Sequence, residues 1–202
     1  MGKRILIRFA TLFFALIVLT LSVVETSSIK YDVGAKSPEP TATSRPVHVV
    51  YALPFPGNVY PGSPLWPMKV LRDKVNLELT SGSVSQSDVE LHLADKRLAA
   101  GWEMWKSEDT EGAFAMFAKA EGYLETSFET LKSQNFEEGS DILRQITFAS
   151  LKHREILEKV LAECSDEARP MVTKFLNPSK DVYEKASKKM VELGFDAPIN
   201  PF

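Results

Sequence analysis

Beyond residue 64, apolar residues recur every three or four positions, and this spacing predicts helices. Leu65, Met68, Leu71, Val75 and Leu79 give a first helix one apolar face. Ser63-Pro64 suits an N-cap followed by proline, although Pro67 removes an early donor and moves the start toward Trp66. A second helix is expected from about Ser87, where Ser87-x-x-Glu90 reads as a capping box. Its apolar positions are Leu91, Ala94, Leu98, Gly101 or Trp102, and Trp105. A third helix runs from about Thr110 to Lys132, with Ala113, Phe117, Ala120, Leu124, Phe128 and Leu131 in phase.

The fourth helix has the cleanest pattern. Ile142, Ile146, Ala149, His153, Ile156, Val160 and Cys164 follow a near-heptad seam. Beyond it, Ser165-Asp-Glu offers a cap and Pro170 a kink or restart. A short helix to Leu176 is expected, then a last one capped by Asn177-Pro178. That helix passes through Val182, Ala186, Met190 and Leu193 and closes at Gly194. No strand-like alternation is present. The breaks after Lys106 and Lys132 look alike but lie 26 residues apart, too close for a 34-residue tetratricopeptide unit. The expected fold is all-α: an antiparallel bundle of about four to six helices.

The N-terminus follows a different rule. Lys3, Arg4 and Arg8 precede or interrupt an apolar stretch, Ile5 to Val24. Its twenty residues would reach about 30 Å as a helix, the thickness of a bilayer core. Positive charge ahead of the run predicts a cytoplasmic N-terminus and a body outside. A cleaved signal peptide competes with an uncleaved anchor. The run is long for a signal and lacks an A-x-A site, which favours the anchor. Residues 25–51 read as a flexible Pro/Ser/Thr-rich linker, with Val47 to Leu53 an apolar run able to lie extended on the body. The domain is expected from residue 52 to 202.

Pro54, Pro56, Pro61, Pro64 and Pro67 forbid a regular helix before the first one. Two P-x-x-P matches, at Pro61 and Pro64, would fit a docking ligand. A rigid lead-in, with Phe55, Tyr60, Leu65 and Trp66 packed on the bundle, accounts for the aromatic residues better.

Charge narrows the function. Net charge is −3, with 24 basic and 27 acidic residues; removing Lys3, Arg4 and Arg8 leaves 21 basic and a body at −6. A mildly acidic body argues against nucleic acid and against electrostatic attachment to anionic lipid. The single cysteine, Cys164, can form no intramolecular disulfide and reads as a small buried apolar residue.

The segment Leu53-Pro-Phe-Pro-Gly…Pro61-Gly-Ser-Pro-Leu-Trp-Pro-Met-Lys-Val-Leu-Arg-Asp-Lys74 resembles a bacterial family of membrane-anchored or secreted proteins with a domain of unknown function. Members typically read L-P-x-P-G-x-x-P-x-S-P-L-Y-P-L-K-x-L-R-D; here Trp66 stands for Tyr and Met68 for Leu. Glu90 to Ala99 and His153 to Leu161, with the stretch through Pro170 to Ala186, resemble further segments of that family. The resemblance spans about residues 52 to 190. It implies an extracytoplasmic helical domain and brings no catalytic residue.

Candidate chemistry is sparse. A helical di-metal site wants two Glu-x-x-His motifs, but Val89 and Ser150 stand where the glutamates would be. His92 with Asp95 reads as a surface polar pair more readily than as a metal site. His153, on the apolar seam, reads as a core histidine with a hydrogen-bond partner. No nucleophile elbow, phosphate loop or H-E-x-x-H is present. We therefore expect no catalytic, cofactor-binding or metal-binding residues and no cofactor. The expected role is a non-enzymatic, membrane-tethered scaffold or interaction module, with the membrane contacted through residues 5–24, an envelope protein as partner, and no nucleic acid. The alternative is a small-ligand or metal sensor, its pocket lined by Trp102, Trp105, Phe114, Phe117 and Phe128.

Overall fold

The structure, a computed structural model, describes residues 47–133 and 136–202. The apolar run 5–24 and most of the expected linker lie outside the described residues. Among the described residues no helix is long and apolar enough to cross a membrane.

Among the described residues there are five helices: α1 (Trp66–Leu79), α2 (Ser83–Lys106), α3 (Thr110–Lys132), α4 (Ser140–Glu163) and α5 (Arg169–Glu192). The last four have 23 or 24 residues each. Short connections make consecutive helices antiparallel. The main pairings are α2 with α3 and α4 with α5, and the two hairpins close on each other chiefly through α3 and α5. The fold is the expected all-α bundle, with α1 laid on its side.

The turn between α2 and α3 shows how tightly the hairpin is made. The Glu108 N–H donates to the Trp105 carbonyl and the Asp109 N–H to the Met104 carbonyl, both at 3.0 Å. This paired closure puts Glu108 at a φ of 64°, in the left-handed region. Asp109 then caps α3 by accepting from the Gly112 N–H at 2.9 Å. Within the hairpin, Gly101 lets α2 approach α3: a Cβ there would meet the Phe117 ring at 2.7 Å.

Three expectations need correction. The start of α2 is Ser83, not Ser87. Ser87 is buried inside the hairpin, where its hydroxyl bonds the Ser127 carbonyl at 2.8 Å and Ser127 returns a bond to the Ser87 carbonyl. The serine is a cross-helix clasp, not a cap. Next, Pro178 does not separate two helices but lies inside the continuous α5. An interior proline costs about 3 kcal/mol. Here Phe175 and Leu176 on one side and Val182, Ala186 and Met190 on the other are all buried. At about 1.5–3 kcal/mol for each large apolar side chain, that burial outweighs the lost hydrogen bond. Pro170 does act as expected, in the first turn of α5, and Gly194 follows the helix at a φ of 80°.

The third correction concerns α1. Its stripe does not face the bundle. Leu65, Met68, Leu71 and Leu79 are between 57% and 74% exposed, and the buried residue of the helix is Asp73. Phe55 is also exposed, while Tyr60 and Trp66 do pack on the body. The helix thus carries apolar residues on both sides, with Trp66, Val70 and Leu77 half-buried and the longer stripe outward.

The segment before α1 joins the body earlier than residue 52. Val49 and Tyr51 are buried in the core, whereas Val50 and Ala52 point outward. This alternation is that of an extended strand lying on a surface.

Candidate functional site

The core of the bundle falls into two apolar clusters. One holds Leu91, Ala94, Leu124, Ala149, Leu151 and Val182; the other begins at Leu98, Ala120, Ile156 and Leu176. Every long helix therefore crosses from one cluster to the other near its middle. At each crossing stands a buried polar residue: Asp95 on α2, Glu121 on α3, His153 on α4 and Ser179 on α5.

Three of these are bonded together. His153 Nδ1 meets Glu121 Oε1 at 2.7 Å, and His153 Nε2 meets Asp95 Oδ1 at 3.2 Å. The Tyr51 hydroxyl donates to the other Asp95 oxygen at 2.6 Å. Complete burial pushes the imidazole toward its neutral form. The charge of Glu121, the hydrogen bonds to Asp95 and Glu121, and the charge of Asp95 outweigh that push and raise its pKa to about 9. Only an imidazolium can donate from both nitrogens, so the geometry and the electrostatics describe the same species. The bundle carries a buried cation between two carboxylates, with the tyrosine hydroxyl easing the excess negative charge. Glu121 Oε2 has no hydrogen-bond partner. The three charged members of the layer bond to one another and to Tyr51.

The same lead segment is held at a second point. Glu155, buried on α4, accepts from the Val49 N–H at 2.8 Å, Lys152 Nζ at 2.9 Å and Lys159 Nζ at 2.6 Å. Burial pushes its pKa up, but these bonds prevail and hold it below the usual carboxylate range. The chain arriving from the N-terminus is thus strapped across the bundle by two carboxylates, Glu155 and Asp95.

A third polar group holds α1. Asp73 pairs with Arg97 Nη2 at 2.6 Å and Arg72 Nη2 at 2.7 Å. Arg97, Lys69 and Lys119 lie 4.9, 5.4 and 5.8 Å from the centre of the Trp66 ring. Lys69 also folds the proline-rich lead-in onto the helix, donating to the Pro56 carbonyl at 2.7 Å and the Val59 carbonyl at 3.1 Å. Burial, then the charge of Arg97, lowers the Lys69 pKa to about 8, with Asp73 opposing.

The histidines therefore divide. His153 is the core histidine expected. His92, expected as a surface pair with Asp95, is buried; Asp95 turns to His153 and Tyr51 instead. Burial, then the charge of Lys96, lowers the His92 pKa to about 4, with Asp73 opposing and Arg72 assisting. Cys164 caps the end of α4, buried, its thiol donating to the Leu161 carbonyl at 3.5 Å. Among the described residues no three His, Cys, Asp or Glu side chains are arranged to hold a metal ion.

Four of the five aromatics considered as a pocket lining, Trp102, Trp105, Phe114 and Phe117, gather in one core cluster, and Phe128 lies in the other. Trp105 stacks on Phe114, which meets Phe175 edge-on. A hollow of about 250 Å³ lies elsewhere, lined by Ser140, Asp141, Arg144, Met190, Phe195 and Asp196, and none of the polar layer borders it.

Sequence reasoning missed Glu121, Glu155, Tyr51 and the Asp73–Arg97 pair. For two carboxylates a signal existed. Glu121 lies four positions after Phe117 and three before Leu124, and Asp95 four after Leu91 and three before Leu98. Both stand on the buried stripe of their helix.

A family model described as a domain of unknown function (DUF5667) matches residues 58–192, which covers all five helices. No curated protein and no solved structure matches the chain.

Proposed function

The chain belongs to the DUF5667 family, a domain of unknown function, and from that premise we propose that it is a non-catalytic helical binding module, tethered outside the cytoplasm by residues 5–24 and acting through the outer face of α1. The observation that carries this reading is the outward stripe of α1. Leu65, Met68, Leu71 and Leu79 are exposed along one side of a helix whose buried residue is the charged Asp73. A contiguous exposed apolar stripe on a soluble body marks an interaction surface. The opposite side of the helix is held on the body by Trp66 and by the Asp73–Arg97 pair, which leaves the stripe outward. The N-terminal apolar run, preceded by Lys3 and Arg4, supports the tether and the outside location.

The reading is tested in intact cells with the full chain carrying a photoreactive residue at Leu71 or, as a control, at Glu125 on the exposed side of α3. Adducts should form from Leu71 and not from Glu125. Equal, background-level yields at both positions would sink the proposal.

A further inference from the structure

The stripe on α1 sits in front of a local reversal of charge. The body as a whole is acidic, 21 basic against 27 acidic residues once Lys3, Arg4 and Arg8 are set aside. Around α1 the balance is opposite. Lys69, Arg72 and Lys74 lie on the helix. Arg97 and Lys119 reach the Trp66 ring, and Lys96 adds its charge beside Lys69. On the helix itself three cations stand against Asp73 and Glu78, and the exposed Lys119 adds a fourth from α3, while Arg97 is buried on Asp73. Asp73 is buried and already paired with two arginines.

Apolar side chains flanked by cations on one short helix suit an anionic interface better than another copy of the same surface. Two copies placed face to face would oppose like charges. A lipid surface offers both complements at once: acyl chains for the stripe and negative headgroups for the lysines and arginines. The chain also brings that surface near. Only the twenty-two residues 25–46 separate the apolar run from the strapped segment at Val47. Fully extended they span at most about 80 Å. A covalent tether of that length makes docking intramolecular, with an effective concentration toward the millimolar range, so a weak surface affinity is enough.

We infer that α1 lies on the anionic surface of the membrane that holds the N-terminus, with Leu65, Met68, Leu71 and Leu79 against the acyl chains and its exposed cations at the headgroups. This rests on the tethered reading above. It also revises the expectation drawn from net charge, because only two of the 27 acidic residues, Asp73 and Glu78, belong to α1.

The experiment uses the full chain reconstituted into vesicles of phosphatidylcholine with phosphatidylglycerol, and of phosphatidylcholine alone. An environment-sensitive fluorescent amino acid replaces the exposed Leu71, and an alkaline carbonate wash of the same vesicles reports whether residues 5–24 are inserted. The expected result is a retained chain with blue-shifted emission in the anionic vesicles and a smaller shift in the neutral ones. Met68→Glu with Leu79→Glu should abolish the shift without altering the circular dichroism melt, since both sites are exposed. A chain stripped off by carbonate overturns the tether and the inference together. A retained chain whose probe stays in water overturns the inference alone. A shift that grows with protein density at fixed lipid makes a second copy the occupant, and one that needs added envelope protein makes a protein the occupant; each overturns the inference and leaves the binding surface standing.

Discussion

Tyr51 and Asp95 stand 44 positions apart and meet at 2.6 Å, tyrosine hydroxyl to buried carboxylate. Through that bond the lead segment is joined to the polar centre, because the other oxygen of Asp95 faces His153. Tyr51→Phe keeps the ring and removes only the donor. A hydrogen bond to a buried charged group is worth about 1.5–3 kcal/mol, and urea unfolding of the variant should show a loss of that size. Amide exchange should quicken over residues 47–53 before it does in the bundle. Unchanged stability would mean that Asp95 does not depend on the strap.

His153 makes stability depend on pH, and the sign follows from the direction of its shift. Its folded pKa, about 9, lies above the unfolded value near 6.5. The folded state therefore holds the proton more tightly. Its contribution is complete below pH 6.5, falls as pH rises from there, and is lost once pH passes 9. His92 acts in the opposite direction. Its folded pKa of about 4 makes stability fall as pH drops from 6.5 toward 4. Lys69, its pKa lowered to about 8, acts against His153 by adding stability as pH rises above 8. Urea unfolding at pH 6, 7.5 and 9.5 of both the unaltered chain and His153→Gln therefore isolates the alkaline limb that belongs to His153. His153→Gln should flatten that limb and, at pH 6, cost about 3–5 kcal/mol by leaving Asp95 and Glu121 buried without their cation. A variant that keeps the alkaline slope would assign the titration to another group.

Glu108 occupies a position that glycine would fill without strain. Its φ of 64° places its Cβ against the following carbonyl, a cost of about 1–2 kcal/mol for an ordinary residue. Glycine gives back part of the gain as unfolded-state entropy. Glu108→Gly should therefore raise stability by about 0.5–1 kcal/mol, seen as a higher urea midpoint at unchanged slope. A lower midpoint would show that the glutamate side chain supports the turn in some other way.

Periodicity revealed where the helices are and failed on how they are turned. The bounds of α3 and the seam of α4 were legible because their stripes are buried without exception among Ala113, Phe117, Ala120 and Leu124, and from Ile146 through Cys164. The inner serine pair was not, since Ser87 followed by Glu90 has the spacing of a cap and only the position of Ser127, 40 residues on, decides otherwise. Pro178 misled because local cost was visible and the compensating burial on both sides of it was not. In α1 the stripe itself was read correctly. Its direction depends on Asp73 finding Arg97 24 residues later, a tertiary fact that no local spacing contains. The polar layer falls between these cases: His153 was legible on its seam, whereas its partners needed carboxylates to be accepted at core positions.

The orientation of α1 can be tested through the pair that sets it. Asp73→Ala leaves Arg97, only 3% exposed, without its buried partner and should cost about 3–5 kcal/mol. Trp66→Ala removes the ring beneath Arg97, Lys69 and Lys119 and should cost less, about 1–3 kcal/mol. Replacing both members of the pair, Asp73→Leu with Arg97→Met, removes the charges and supplies apolar volume. Such replacements of buried pairs are often neutral or stabilising, so the double variant should recover most of what Asp73→Ala loses. It should also release the constraint that keeps the apolar stripe outward. With Asp73 gone, both faces of α1 can bury apolar surface, and a probe at Leu71 should become partly shielded from a water-soluble quencher. If the double variant is as unstable as Asp73→Ala, or leaves Leu71 fully open to the quencher, the pair does not set the direction in which α1 faces.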